Sequence, residues 1–127
     1  MLSLKALVVV ADGHQAVLFR NIAKHAIELE EVERVTPHNL QDESQGRQPE
    51  ETTPRAEDEA TFAKQLAERL NRMVLQHKVE ELAIIADPST LGVLRKHYHK
   101  ELESRLKKEV PKTLTGASGE EVARALS

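Results

Sequence analysis

Apolar positions first gather near the start of the chain. Residues 4–11 form a nearly continuous run centred on Leu7-Val8-Val9-Val10. A strand that buries one face alternates apolar and polar residues; a run without alternation predicts a strand covered on both faces. Asp12-Gly13 follows, a pair that tolerates positive φ and predicts a hairpin. Residues 15–20 (QAVLFR) then read as the return strand. In HAIELEEVERV, Ile27, Leu29 and Val35 alternate with charged residues, while Glu30-Glu31-Val32 breaks the alternation. This segment predicts a half-exposed third strand whose register the pattern leaves open. The three strands together make an antiparallel meander.

Polar residues take over in 36–56, TPHNLQDESQGRQPEETTPRA. The segment holds three Pro and one Gly, with Leu40 and Ala56 as its apolar residues. It predicts a long loop, and loops of this length carry function or are disordered. Lacking apolar anchors, residues 38–55 are expected to be the most mobile part of the chain.

Helical spacing begins next. Thr53-Pro54 offers a cap and a first-turn residue, and Glu57, Asp58 and Glu59 suit the positive end of a helix dipole. Phe62, Leu66, Leu70 and Met73 recur at helical intervals, predicting an amphipathic helix over 57–76. Residues 81–86 (ELAIIA) read as a buried strand, and Asp87-Pro88 as a cap and first-turn residue for a helix over 88–97. A strand running into a helix marks an α/β sheet, in which loops at strand carboxyl ends hold sites. Tyr98, Leu102 and Leu106 keep helical spacing, but 106–110 reads equally well as an edge strand before Pro111. Residues 116–119 are a break, and 120–126 a short closing helix. The expected architecture is one α/β domain over residues 1–127. Its mixed sheet is opened by the meander, helices pack on it, and Val8, Val10, Phe62, Leu66, Leu70 and Ile84 form the core.

Composition narrows the function classes. With no Trp, one Tyr and two Phe, the core is aliphatic. With no Cys, disulfides, thiolate metal sites and cysteine nucleophiles are excluded. A net charge of −3 argues against autonomous nucleic-acid binding, which needs clustered Lys and Arg. The apolar run before Asp12 is short for a signal peptide, and no stretch is long enough to cross a bilayer. A cytoplasmic address without membrane attachment is the expectation.

Candidate chemistry is sparse. The six His show no metal-ligand spacing and read as surface imidazoles, so neither a metal nor a cofactor is expected. Asp12 and Asp87 both follow apolar strands, which could bring two carboxylates to one sheet edge, as in metal-dependent nucleases. The competing roles, a hairpin residue and a helix cap, are the stronger reading. Ser44-Gln45-Gly46-Arg47-Gln48 places a Gly, a cation and two amides inside the long loop.

The order of LVVVADGHQAVLFRN, a loop with GRQ, FAKQLAERL, LAIIADPSTLGVLR and KTLTG covers nearly the whole chain. It resembles the bacterial host attachment family, proteins described as required for attachment to host cells. VVVADG and ADPSTLGVLR are the most specific parts. That family's late motif is closer to K-D-L-T, and Thr113 stands where its Asp would be. The family is similar in turn to the middle domain of archaeal and eukaryotic class-I release factors and their ribosome-rescue relatives. That domain also opens with a strand, a D-G hinge and a second strand, then a long loop before its main helix. In release factors the loop bears Gly-Gly-Gln, whose Gln helps hydrolyse peptidyl-tRNA. Here Gly46-Arg47-Gln48 stands in the comparable loop, with Arg47 in place of the second Gly and Pro49 biasing Gln48 to extended angles.

The resemblance implies a release-factor middle-domain-like fold with ribonuclease-H-like layering. It implies binding residues at Asp12, Gly13, Gly46, Arg47, Gln48, Asp87 and Lys112, with Gln48 the catalytic candidate. The first expectation is an intracellular, partner-binding protein that affects host attachment indirectly. The alternatives are a ribosome-associated peptidyl-tRNA hydrolase or rescue factor using Gly46-Arg47-Gln48, and a metal-dependent nuclease. The partner is then a protein or the ribosome.

Overall fold

A computed structural model describes residues 2–37 and 55–127. The predicted long loop, with Gly46, Arg47 and Gln48, and the expectation of its mobility lie largely outside the described residues. Strand β1 (Leu7–Ala11) pairs antiparallel with β2 (Ala16–Asn21), which pairs antiparallel with β3 (Leu29–Val35). On its other side β1 pairs parallel with β4 (Leu82–Ala86), and β4 parallel with β5 (Leu106–Val110). The mixed sheet therefore has the order β3-β2-β1-β4-β5, opened by the expected meander. Helix α1 (Arg55–Leu75) links β3 to β4, α2 (Pro88–His97) and α3 (Lys100–Arg105) link β4 to β5, and α4 (Gly119–Leu126) closes the chain. No helix among the described residues is long and apolar enough to cross a membrane.

The unbroken apolar runs of β1 and β4 follow from their central position. Every residue of both strands is buried, and successive side chains enter different cores. On one face Leu7, Val9, Leu18, Ile84 and Val35 meet Phe62, Leu66, Leu70 and Val74 of α1, Leu91 and Leu94 of α2, and Leu102 of α3. On the other, Val8, Val10, Phe19 and Ile85 meet Val122 and Leu126 of α4, with Leu2 and Ala6. All six expected core residues are buried. Val8 and Val10, however, pack under α4 rather than under the two larger helices.

Two details that patterning left open are settled by strand pairing. The broken alternation in β3 is a register slip: Leu18 pairs with Glu33 and Phe19 with Glu31. Val32 has no partner in the ladder and is 48% exposed. Residues 106–110 are a strand, because the unpaired edge of β4 takes them up and Val110 is buried beneath α4's side of the sheet. The first helix begins at Arg55 rather than 57. Helix α4 starts with a capping box in which Ser118 and Glu121 each bond the other's backbone N–H. The Ser118 backbone N–H, and after it the Ser118 side chain, holds the Glu121 carboxyl below the usual glutamate range.

One buried polar side chain organises the amino-terminal end of the sheet. Asn21 Nδ2 donates to the carbonyls of Leu2, Ser3 and Ala26 at 3.3, 3.0 and 3.2 Å. Its Oδ1 accepts from the Ala23 and Glu28 N–H groups at 3.3 and 2.9 Å. The residue is fully buried and joins three segments that have no common ladder.

Among the described residues, two that are not glycine take positive φ, Lys5 at 73° and His77 at 62°. Lys5 lies in a turn in which the Ala6 N–H donates to the Ser3 carbonyl. His77 follows α1 in a Schellman arrangement, with its N–H on Val74 O and the Lys78 N–H on Met73 O. This conformation costs an L-residue roughly 1–2 kcal/mol, and Gly commonly fills it.

Truncating the fully buried Leu66 to Ala should lower stability by ~2–5 kcal/mol in urea denaturation. Asn21→Ala should lower it by at least ~2 kcal/mol, because buried carbonyls and N–H groups lose their partners. Asn21→Asp should do no better, since a carboxylate cannot donate to the three carbonyls.

Candidate functional site

Strand register decides which motifs meet. Ala11 pairs with Ala16 and with Ala86, Ile85 pairs with Val110, and Ala16 pairs with Val35. The ends of β1, β3, β4 and β5 and the start of β2 therefore lie along one edge of the sheet. The 12–15 turn, Thr36-Pro37, Asp87-Pro88 and the segment after Val110 all leave from it. Carboxyl ends of parallel strands are where α/β sheets place their sites.

Asp12 sits at the centre of this edge, immediately beyond β1. Its Oδ1 accepts from the N–H groups of His14 at 2.7 Å and Gln15 at 2.9 Å, and its own N–H donates to Gln15 O at 2.9 Å. The connection is thus a four-residue turn held by an aspartate side chain. It is not a two-residue turn with positive φ at Asp12: among the described residues, the non-glycine positions with positive φ are Lys5 and His77. Gly13 lies within the turn, partly buried.

The second carboxylate oxygen of Asp12 reaches across the sequence. Thr115 Oγ1 donates to Asp12 Oδ2 at 2.9 Å, a bond between residues 103 positions apart. It ties the KTLTG segment to the ADG segment. Leu114 packs beside the α4 core, Thr113 is exposed, and Lys112 is exposed on a tight turn in which its N–H donates to Val110 O. Composition did not single out Thr115, although the motif that contains it was visible.

Asp87 follows β4 on the neighbouring strand. It is the N-cap of α2: its Oδ2 accepts from the Thr90 N–H at 3.1 Å and its carbonyl from the Leu91 N–H at 2.9 Å. Pro88 occupies the first turn, where no N–H is needed. Parallel pairing places Asp12 and Asp87 one residue beyond partnered Ala11 and Ala86, as a metal-dependent nuclease would require. Their hydrogen bonds nonetheless serve the turn and the cap. Among the described residues, no three His, Asp or Glu side chains gather to hold a metal ion.

The corner at His97 and His99, before α3, is structural. His99 Nδ1 accepts from the Glu101 N–H and caps α3. Asn71 of α1 clasps the same corner, donating to His97 O at 2.8 Å and accepting from the His99 N–H at 2.9 Å. A second polar cluster joins α2 to β5 at mid-strand. Glu109 accepts from the Arg95 guanidinium at 2.9 and 3.1 Å and from Tyr98 Oη at 3.1 Å. Burial, with the Glu109 charge beside it, pushes the Tyr98 phenol well above its ordinary pKa, so it stays a donor.

Of the residues expected at the site, Asp12, Gly13, Asp87 and Lys112 stand along this one edge. Gly46, Arg47 and Gln48 belong to the segment that follows β3 from the same edge and lie outside the described residues. A strand, an aspartate turn, two further antiparallel strands and then the main helix is thus the order of the described elements. Residues 5–126 match bacterial archaeo-eukaryotic release factor family 12. The chain belongs to that family. Among solved structures, the type II variant of the Aquifex aeolicus Ppx/GppA phosphatase is similar at 13% identity and a TM-score of 0.43. The likeness covers 86% of this chain and 36% of that one, so the family member spans about a third of the phosphatase chain. No curated protein matches.

Asp12 should behave as a hydrogen-bond acceptor first. Asp12→Asn, which keeps an acceptor for the turn, should unfold within ~0.5 kcal/mol of the parent in guanidinium melts. Asp12→Ala, which leaves the turn N–H groups and Thr115 without their acceptor, should lose ~1–3 kcal/mol.

Proposed function

We propose that this family member is a ribosome-associated factor of release-factor type, acting through the loop edge of its sheet as a binding module rather than as a peptidyl-tRNA hydrolase. The observation that carries the reading is the convergence of the ADG, ADPST and KTLTG segments on the edge at which β3 ends, the strand that precedes Gly46-Arg47-Gln48 in sequence, in a chain of the release factor family. A binding role suits an edge whose carboxylates are engaged in holding loops. Against hydrolysis stand Arg47, in place of a second Gly, and Pro49, which restricts Gln48. Asp42, Glu43, Glu50 and Glu51 surround the triplet in sequence and repel phosphates within a Debye length of ~8 Å. An influence on attachment to host cells, the role the sequence resemblance carries, would then arise downstream of translation.

Two assays test this. The purified chain should co-sediment with ribosomes in a gradient. It should also release no peptide from ribosome-bound peptidyl-tRNA, and Gln48→Ala should be silent in that assay. Release by the parent that disappears in Gln48→Ala would establish the hydrolase instead, since a loop amide must then orient water at the ester carbonyl. Sedimentation free of ribosomes would remove the ribosomal reading altogether.

A further inference from the structure

The opposite edge of the sheet, at the amino ends of β1 and β4, carries a groove of about 1000 Å³. Lys5, Arg20, Lys78, Arg105 and Lys107 line it, against two carboxylates, Glu80 and Glu81. This cationic excess stands out in a chain whose net charge is −3. Its composition is therefore not the average surface of the molecule.

Among the described residues, four of these five cations carry no ion pair, Arg105 with Glu101 being the exception. Arg20 Nη1 donates to Lys5 O at 2.9 Å and its Nη2 to Lys78 O at 3.1 Å, so carbonyls aim the guanidinium while its charge is kept. Among the described residues, Lys5, Lys78 and Lys107 form no ion pair. Arg105 is 3.6 Å from Glu101, and its Nε–H is buried without a hydrogen-bond partner. Glu81 is already engaged: it accepts from the Ser3 N–H at 2.9 Å and Ser3 Oγ at 2.8 Å. Burial raises its pKa, but the Ser3 bonds and the Lys107 charge outweigh this and hold it below the usual range, so it remains an occupied anion.

Backbone irregularity concentrates on the same groove. Among the described residues, Lys5 and His77 are the non-glycine residues with positive φ, and both line it with exposed side chains. Lys107 is the residue skipped where the β4–β5 register slips, Leu82 pairing with Leu106 and Ala83 with Lys108. Gly would suit the first two positions better, since both side chains are exposed and neither is hydrogen-bonded among the described residues. Strained positions that packing does not repay cluster at functional sites. Leu4 and Ile22, 40% and 53% exposed, add an apolar margin.

We infer that this groove binds a small, multiply phosphorylated molecule, its phosphates on Lys5, Arg20, His77, Lys78 and Lys107 and its apolar part against Leu4 and Ile22. The volume lies at the upper end of small-ligand sites, ~300–1,000 Å³. The lining holds no Phe, Tyr or Trp on which bases of a single-stranded nucleic acid would stack. The inference is independent of the ribosomal reading, because it concerns the other edge of the sheet.

Calorimetric titration with inorganic pyrophosphate, at constant ionic strength, tests it on the full chain. The parent should bind, with sulfate at least about tenfold weaker, since one divalent group spans fewer cations. The Lys5→Gly/His77→Gly variant relieves the backbone while removing two phosphate contacts. It should melt at or above the parent's temperature yet bind pyrophosphate at least about tenfold more weakly. Lys107→Gln should weaken binding in the same direction. A nucleoside diphosphate should bind more tightly than pyrophosphate, and Ile22→Ser should abolish that margin. Absence of pyrophosphate binding, or binding that the folded variants leave unchanged, would overturn the inference. So would an RNA oligonucleotide that displaces pyrophosphate and binds more tightly, because the groove would then be a macromolecular surface.

Discussion

The parallel pairing of β1 with β4 is the constraint on which the remaining structure depends. Antiparallel strands join through a short turn, but parallel strands need a crossover, so residues between β3 and β4 must return the chain across the sheet. Helix α1 does this and buries Phe62, Leu66 and Leu70 on one face as it goes. Since β1 and β4 are central, their other face must be covered as well, and α4 supplies Val122 and Leu126. The same pairing gives the sheet two unlike edges. Strand carboxyl ends gather one set of loops, and strand amino ends, with the end of α1, gather another.

Legibility of the sequence follows from this. Runs such as LVVVA and LAIIA were readable as strands buried on both faces because a central position leaves no residue in water. The α2 boundaries were readable because Asp87 and Pro88 act locally, through a cap and a missing N–H. Residues 106–110 were ambiguous because nothing within LKKEV makes it a strand; the open edge of β4 does. Val32 broke the alternation because it is the residue the β3 register skips. The partition of the core between the two faces was equally hidden, since α4 is short and Val8, Val10 and Phe19, which it covers, lie about a hundred positions or more before it.

The candidate site was legible as motifs and illegible as contacts. Asp12 and Asp87 were visible as residues ending apolar runs, and parallel pairing does set them side by side. What they do is decided by groups far along the chain or by backbone N–H donors. Thr115 bonding Asp12 is such a contact, and so is Asn21 gathering Leu2, Ser3 and Ala26. Neither Thr nor Asn advertises such a role in composition. A buried amide becomes conspicuous only when every one of its donors and acceptors is found to be satisfied.

The two edges then differ in how their charges are used. At the carboxyl edge the charged groups are turned inward to the fold: Asp12 holds its turn and Thr115, and Asp87 holds α2. Carboxylates committed in this way stabilise loops and leave recognition to what the loops present. At the amino edge the cations hold little. Arg20 is aimed by carbonyls, and Lys5 and His77 occupy conformations that glycine would adopt with less strain. Stability alone accounts for the first arrangement, because removing those acceptors leaves the turn and cap donors unmatched. It does not account for the second, because glycine at two positions would relieve the backbone and remove no packing. A residue kept where the fold gains nothing from it is better explained by what its side chain meets outside the fold.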